Sequence, residues 1–255
     1  MNSVISHDGT RISFTHSGQG PLLILLGGAL QTKTDRLMGS LIPLLAEDFT
    51  VVSYDRRGRG ESDLILPYTI EREVEDVEAI LKEMGGTGSL FGNSSGGQLA
   101  LYAASRLAGI RKVAVYEAPF IPERAPGDAR SYLDVLEKSL SEGRPGDALK
   151  AFFRRVGVPT LFVTIMRVSP MWRGLKALAP TLPHDAKLVG DGTVPSEFGS
   201  IAVPVLALTG EQPSMQQAAQ RLVDKVPGAR QETLTGQSHA VKPLVLATAL
   251  RRFLA

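Results

Sequence analysis

The chain has no cysteine among its 255 residues. Disulfide frameworks, thiolate metal sites and cysteine nucleophiles are therefore excluded, while the redox compartment stays open. A surplus of one charge sign is also lacking. Lys and Arg number 28 against 26 Asp and Glu, a net charge of +2, too little for the basic face of a nucleic-acid binder. The longest strongly apolar stretch, residues 21–30 (PLLILLGGAL), falls far short of the ~20 residues that cross a bilayer. The opening residues, MNSVISHDGTRIS, show neither the basic start nor the apolar centre of a secretory signal. The expectation is a soluble cytoplasmic protein without a membrane or nucleic-acid partner. There are 4 histidines, none in H-x-x-x-H spacing or beside carboxylates at ligand spacing. Gly58-Arg59-Gly60 lacks the third glycine of a dinucleotide fingerprint, and there is no P-loop. Neither a metal nor a cofactor is expected.

What is present is ordinary globular material, 43% hydrophobic and 21% charged, enough to bury a core. Two short strands around Asp8-Gly9 predict an N-terminal hairpin. The aliphatic run 22–26 predicts a strand covered on both faces, followed by a helix over 34–47 and a strand over 49–54. Residues 69–84 place Ile70, Val74, Val77, Ile80 and Leu81 on one helical stripe. The opposite face, with Glu71, Glu73, Glu75 and Glu78, reads as solvated. Strands at 88–91, 112–116, 203–208 and 230–234 alternate with helices near 97–107, 215–226 and 243–254. Strand alternating with helix implies a mostly parallel sheet with helices on both faces. Residues 118–201 break the rhythm with nine prolines, Pro119 through Pro195, and read as a helical insertion over the sheet's edge.

Between a predicted strand and a predicted helix stands Gly92-Asn93-Ser94-Ser95-Gly96-Gly97. This is G-x-S-x-G centred on Ser94, the nucleophile elbow. A serine held in so sharp a turn needs small residues two before and two after it, and Gly92 and Gly96 supply them. The helix that starts here aims its free N–H groups at the site, with the Ser95 N–H placed to face an oxyanion. Centring the motif on Ser95 would put Asn93 in a glycine position, so Ser94 is the candidate nucleophile.

With this elbow, Leu25-Leu26-Gly27-Gly28 after one strand and Ser53-Tyr54-Asp55-Arg56-Arg57-Gly58-Arg59-Gly60-Glu61-Ser62 after the next, the chain resembles the α/β-hydrolases over nearly its whole length. The resemblance implies a mostly parallel twisted sheet flanked by helices, with a helical cap inserted after the sixth strand. Residues 1–118 and 202–255 would form the core and 119–201 the cap. Asp55 and its neighbours would build a turn. The resemblance also places the catalytic histidine in the loop before the last helix, where Gly236-Gln237-Ser238-His239 stands; imidazole titrates near the working pH and suits a general base. His7 and His16 flank the hairpin and read as exposed. The acid that orients the imidazole usually follows the seventh strand in this family, but Gly210-Glu211-Gln212 offers no aspartate there. Glu117, ending the sixth strand, is the first choice, because some members place the acid at this strand end and a buried carboxylate needs a partner. Glu211 is the second. For the oxyanion hole, Gly28 is the expected donor beside Ser95, with Ala29 as its neighbour. This loop has Leu26-Gly27 where relatives often carry His-Gly.

The expected activity is that of a serine hydrolase acting on a small, apolar carboxylic ester or lactone, without a cofactor. The partner would be a small-molecule substrate bound near Ala29, Trp172 and His184. Cap residues such as Leu136, Phe152, Phe153, Leu161, Phe162 and Met166 suggest that substrate's apolar character. Dehalogenases and epoxide hydrolases of this fold carry aspartate where Ser94 stands. The alternatives are a non-hydrolytic enzyme on the same fold (lyase, cyclase, acyltransferase or perhydrolase) and a ligand-binding pseudo-enzyme, because fold does not fix the reaction.

Overall fold

The computed structural model describes residues 2–122, 125 and 127–255. Strands β1 (Asn2–Ile5) and β2 (Arg11–Ser17) form the predicted hairpin. Its turn is closed by the Asp8 carboxylate, which accepts a bond from the Thr10 N–H at 3.0 Å. Then come β3 (Leu22–Leu26), α1 (Arg36–Leu45), β4 (Thr50–Tyr54), α2 (Ile70–Glu83), β5 (Gly88–Asn93), α3 (Ser95–Arg106) and β6 (Ile110–Tyr116). After a long helical insertion follow β7 (Val205–Thr209), α9 (Pro213–Lys225), β8 (Arg230–Thr233) and α10 (Pro243–Leu254). The eight strands lie in one sheet, ordered β1-β2-β4-β3-β5-β6-β7-β8, and every pairing from β4 to β8 is parallel.

Period-two alternation builds both cores from the same strands. In β3, Leu22, Ile24 and Leu26 join the core under α2, α3 and α9, while Leu23 and Leu25 join the core under α1 and α10. This explains the uninterrupted aliphatic run. Strand order reverses at β3, which has β4 on one side and β5 on the other. Open α/β sheets bind ligands at such a point, outside the carboxyl ends of the strands.

Among the described residues the insertion holds five α-helices, α4 (Asp128–Ser141), α5 (Pro145–Arg155), α6 (Thr160–Arg167), α7 (Met171–Leu178) and α8 (Leu182–Val189), with short 3-10 turns at Ala179–Thr181 and Ser196–Ser200. Pro145 and Pro183 occupy first turns of α5 and α8, where no N–H is missed, while Pro126 lies outside the described residues. These helices share an apolar core of Leu136, Leu149, Val163, Trp172 and Leu182, against which Ala29 and Leu30 pack. The apolar residues expected to face substrate divide. Leu136 and Trp172 are buried, whereas Leu161 and Phe162 on α6 are exposed. Among the described residues, no helix is long and apolar enough to cross a membrane.

The acidic face of α2 is a correction. Glu71 is exposed as expected, but Glu73 is buried and grips Arg56 through Nε at 2.8 Å and Nη2 at 2.9 Å. Asp76 on the same helix is buried against Arg57. The D-R-R-G-R-G turn brings guanidiniums inward, and each one needs a carboxylate beside it.

Candidate active site

Among the described residues, three non-glycine residues have a left-handed φ: Leu30 at 59°, Ser94 at 53° and Glu117 at 48°. All three follow the carboxyl ends of neighbouring strands, β3, β5 and β6. Backbone strain of this kind costs on the order of 1–3 kcal/mol per residue and clusters where geometry serves function.

Ser94 occupies the turn between β5 and α3. The turn closes because Gly92 and Gly96 lack side chains: a Cβ on Gly92 would meet Gly96 O at 2.3 Å, and one on Gly96 would meet Leu26 O at 2.2 Å. Its N–H donates to Tyr116 O at 2.8 Å, which ties the elbow to β6. Ser94 is half-buried. Among the described residues, its hydroxyl makes no hydrogen bond to His239 or to any other group. Catalytic contacts of this type commonly tighten only around substrate.

Glu117 and His239 are brought together. Glu117 Oε2 lies 2.6 Å from His239 Nδ1, and Glu117 Oε1 accepts from the Gly210 N–H at 3.0 Å. The glutamate side chain is fully buried, whereas the imidazole is 56% exposed. A carboxylate on Nδ1 keeps the proton there and leaves Nε2 with a free lone pair. The histidine loop is pinned twice, by Tyr116 Oη donating to Ser238 O at 2.5 Å and by the Glu211 N–H donating to Gln237 O at 2.9 Å. Glu211 thus holds the loop by its main chain, and its side chain is exposed. His7 and His16 are exposed on the hairpin, far along the sheet from His239.

The expected oxyanion loop needs a correction at Gly28. Its N–H is already donated to Gln31 Oε1 at 2.5 Å, and that oxygen also accepts from Asn93 Nδ2 at 2.9 Å. Gly28 still packs close to the elbow serine, since a Cβ on it would lie 3.0 Å from Ser94 Cβ. Ser95 is the first helical residue of α3, so its N–H has no intrahelical acceptor. The hydroxyl of Ser95 is spent on Asp185, to which it donates at 2.8 Å.

Trp172 and His184, expected at the substrate, are both buried in protein. Trp172 sits in the insertion core, its ring 6.3 Å from that of Phe153. His184 stacks on Tyr68 with ring centroids 3.9 Å apart, and its Nδ1 is buried without a partner. Burial pushes the His184 imidazole down to about 3 against the opposing pull of Asp185, with Arg56, Arg59 and Lys187 adding to the depression. Protonation is thus disfavoured in the fold, so the native state binds fewer protons than the unfolded chain below the ordinary imidazole value. The resulting stability is full above about pH 6.5 and is lost as pH falls towards 3, at up to about 1.4 kcal/mol per pH unit. Melting temperatures measured across this window should fall steeply for the wild type and less steeply for His184→Gln.

Sequence reasoning missed Gln31 and Asp185. Neither stands in a motif. The only signal for Asp185 was that Arg56 and Arg59, in a turn that packs inward, required a carboxylate from elsewhere. Among the described residues, no group of three or more histidines or carboxylates is placed to hold a metal ion.

A profile of the alpha/beta hydrolase family matches residues 23–253. The chain belongs to that family. An alpha/beta hydrolase from Sphaerobacter thermophilus DSM 20745 is 42% identical, with a TM-score of 0.90 and full coverage of both chains. A thermophilic esterase from Thermogutta terrifontis is 19% identical, covering 99% of this chain and 97% of its own at a TM-score of 0.75. An enol-lactonase from Burkholderia xenovorans LB400, also 19% identical, covers 99% of each chain at 0.73. At such identity these two show the fold alone. A probable oxidoreductase, EphD, of Mycobacterium tuberculosis is 37% identical over 86 residues, which are 32% of this chain and 14% of that protein. The Ser94 elbow follows β5, Glu117 follows β6 and His239 lies in the loop between β8 and α10, so the three stand in the chain order serine, carboxylate, histidine, with the carboxylate after β6 and not after β7.

Proposed function

We propose that this chain is a serine hydrolase that cleaves small, apolar carboxylic esters or lactones through an acyl-enzyme on Ser94. The observation that carries the reading is the buried Glu117 carboxylate, 2.6 Å from His239 Nδ1, on the strand beside the strained Ser94 elbow. A carboxylate at Nδ1 has two effects: it fixes Nε2 as the base and stabilises the imidazolium that forms as the serine proton moves.

Ser94 Oγ attacks the carbonyl carbon as Nε2 of His239 takes its proton. The tetrahedral oxyanion is met by the Ser95 N–H, at the positive end of α3, and by the Ala29 N–H, since Gly28's is committed to Gln31. His239 then returns the proton to the leaving alcohol oxygen as the C–O bond breaks. Water, deprotonated by the same nitrogen, releases the acid and restores Ser94. Ala29 and Leu30 pack against the apolar core of the insertion, which acts as a cap and supports an apolar acyl or alcohol group.

A fluorophosphonate probe, with p-nitrophenol release from short acyl esters followed alongside, tests the reading. The expected result is one label on the peptide that carries Ser94, together with turnover. Folded wild-type protein that neither labels nor turns over would overturn it.

A further inference from the structure

The D-R-R-G-R-G turn was expected only to shape the chain, yet two of its guanidiniums reach the active site. Arg59 Nη1 donates to Gly28 O at 2.6 Å, and Arg56 Nη1 donates to Gly27 O at 3.3 Å. Both then converge on one carboxylate from the insertion. Arg56 Nη1 donates to Asp185 Oδ1 at 2.8 Å and Arg59 Nη2 to Oδ2 at 2.7 Å. Oδ1 also accepts from the hydroxyl of Ser95, the residue after the proposed nucleophile. Arg56, Arg59, Ser95 and Asp185 are each at most 5% exposed. Glu73 on Arg56 completes the balance of two cations and two anions. Burial works against charge on Asp185, but Arg59 and Arg56 hold its carboxyl below the usual carboxylate range.

One side chain of the insertion thus ties down both walls of the Ser94 turn, the first directly and the second through Arg56 and Arg59. One wall is the start of α3, whose first N–H belongs to Ser95. The other is the Gly27-Gly28-Ala29 loop, held by its carbonyls. We propose that Asp185 is a positioning residue that fixes the spacing of the two oxyanion donors, so that seating of the inserted helices sets the rate of acyl transfer. The inference rests on Ser94 acting as the nucleophile. Oxyanion donors act only at hydrogen-bond distance from a developing charge, and a displacement near 1 Å is worth about 100-fold in rate.

A second buried pair provides the comparison. Asp76 takes Arg57 Nε at 2.8 Å and Nη2 at 2.7 Å, with both side chains buried, and Arg57 makes no bond to the Gly27-Gly28 loop. Asp185→Asn, Ser95→Ala and Asp76→Asn should be compared by kcat, KM and melting temperature on a p-nitrophenyl ester. The expected result is a fall in kcat of about 10- to 100-fold for Asp185→Asn with KM held within about twofold. Ser95→Ala, which removes one hydroxyl and keeps the amide, should fall about 3- to 10-fold by the same displacement. Asp76→Asn should lower the melting temperature and leave kcat unchanged. Should Asp185→Asn not fold, Ser95→Ala decides. An Asp185→Asn protein that melts like Asp76→Asn yet keeps wild-type kcat overturns the inference, as does wild-type kcat in Ser95→Ala. In both cases a wild type that labels at Ser94 leaves the hydrolase reading standing. A wild type that does not label overturns both.

Discussion

Replacing Ser94 with alanine should lower turnover of p-nitrophenyl acetate by about 10⁴- to 10⁶-fold, the range found when a catalytic serine is removed. In the proposed mechanism the substitution deletes the one atom that forms the covalent bond. His239, the amides and the pocket remain, so only background catalysis from binding and oxyanion stabilisation survives. Stability should scarcely change. The residue is half-buried, its hydroxyl makes no hydrogen bond among the described residues, and alanine inherits the same backbone at φ 53°. Changes away from buried partners stay within about 0.5 kcal/mol. Initial rates and thermal melts on one preparation check both halves. A large loss of rate accompanied by a large loss of melting temperature would point to a structural rather than a chemical role.

Glu117→Gln should lower kcat by about 10³- to 10⁴-fold, because a neutral amide stabilises neither the required tautomer nor the imidazolium. The change is isosteric. The amide oxygen can still accept from the Gly210 N–H, which Glu117 Oε1 does at 3.0 Å, so the protein should fold. Glu211→Gln should stay within about twofold of the wild type, since its contact with the histidine loop is made by the main-chain N–H and distant surface changes are nearly neutral. The two variants, assayed side by side for kcat and KM, separate the two carboxylates. Equal losses, or a loss confined to Glu211→Gln, would move the acid to the end of β7.

Which parts of this were legible in the sequence follows from the range of the forces involved. Local patterns reported local structure well. The uninterrupted run at Leu22–Leu26 appeared as a strand with both faces covered, and alternation of strand and helix appeared as the parallel sheet. The elbow could be read because Gly92 and Gly96 are imposed by backbone contacts within a few residues and with the adjacent strand. Glu117 stood out because a carboxylate ending an apolar strand demands a partner. Its partner, 122 residues away, came from family resemblance and not from spacing.

Long-range electrostatics were illegible. Glu73 looked solvated because helical periodicity gives a side chain's face and says nothing of what packs there. In fact Arg56 reaches it across 17 residues. Asp185 lies 129 residues from Arg56, in a segment read as a helical insertion with nothing to say which of its carboxylates faces the sheet. Gln31 carried no signal at all, because capping the Gly28 N–H requires only that a loop fold back by three residues. Trp172 and His184 were expected near the substrate from their place in the inserted segment. Which neighbours each packs against, the insertion core for Trp172 and the Tyr68 ring for His184, is set by tertiary contacts that local pattern does not report.

The proposed covalent intermediate on Ser94 is tested most directly with p-nitrophenyl trimethylacetate, whose hindered acyl group would slow the second half of the reaction. Stopped-flow release of p-nitrophenol would be followed by quenching and peptide mass spectrometry. The expected result is a burst of about one p-nitrophenol per chain, with the trimethylacetyl group on the peptide carrying Ser94 and specifically on that residue. Ser94→Ala should give neither burst nor adduct. Undiminished hydrolysis by Ser94→Ala, or an acyl group found on Ser95 or elsewhere, would contradict it.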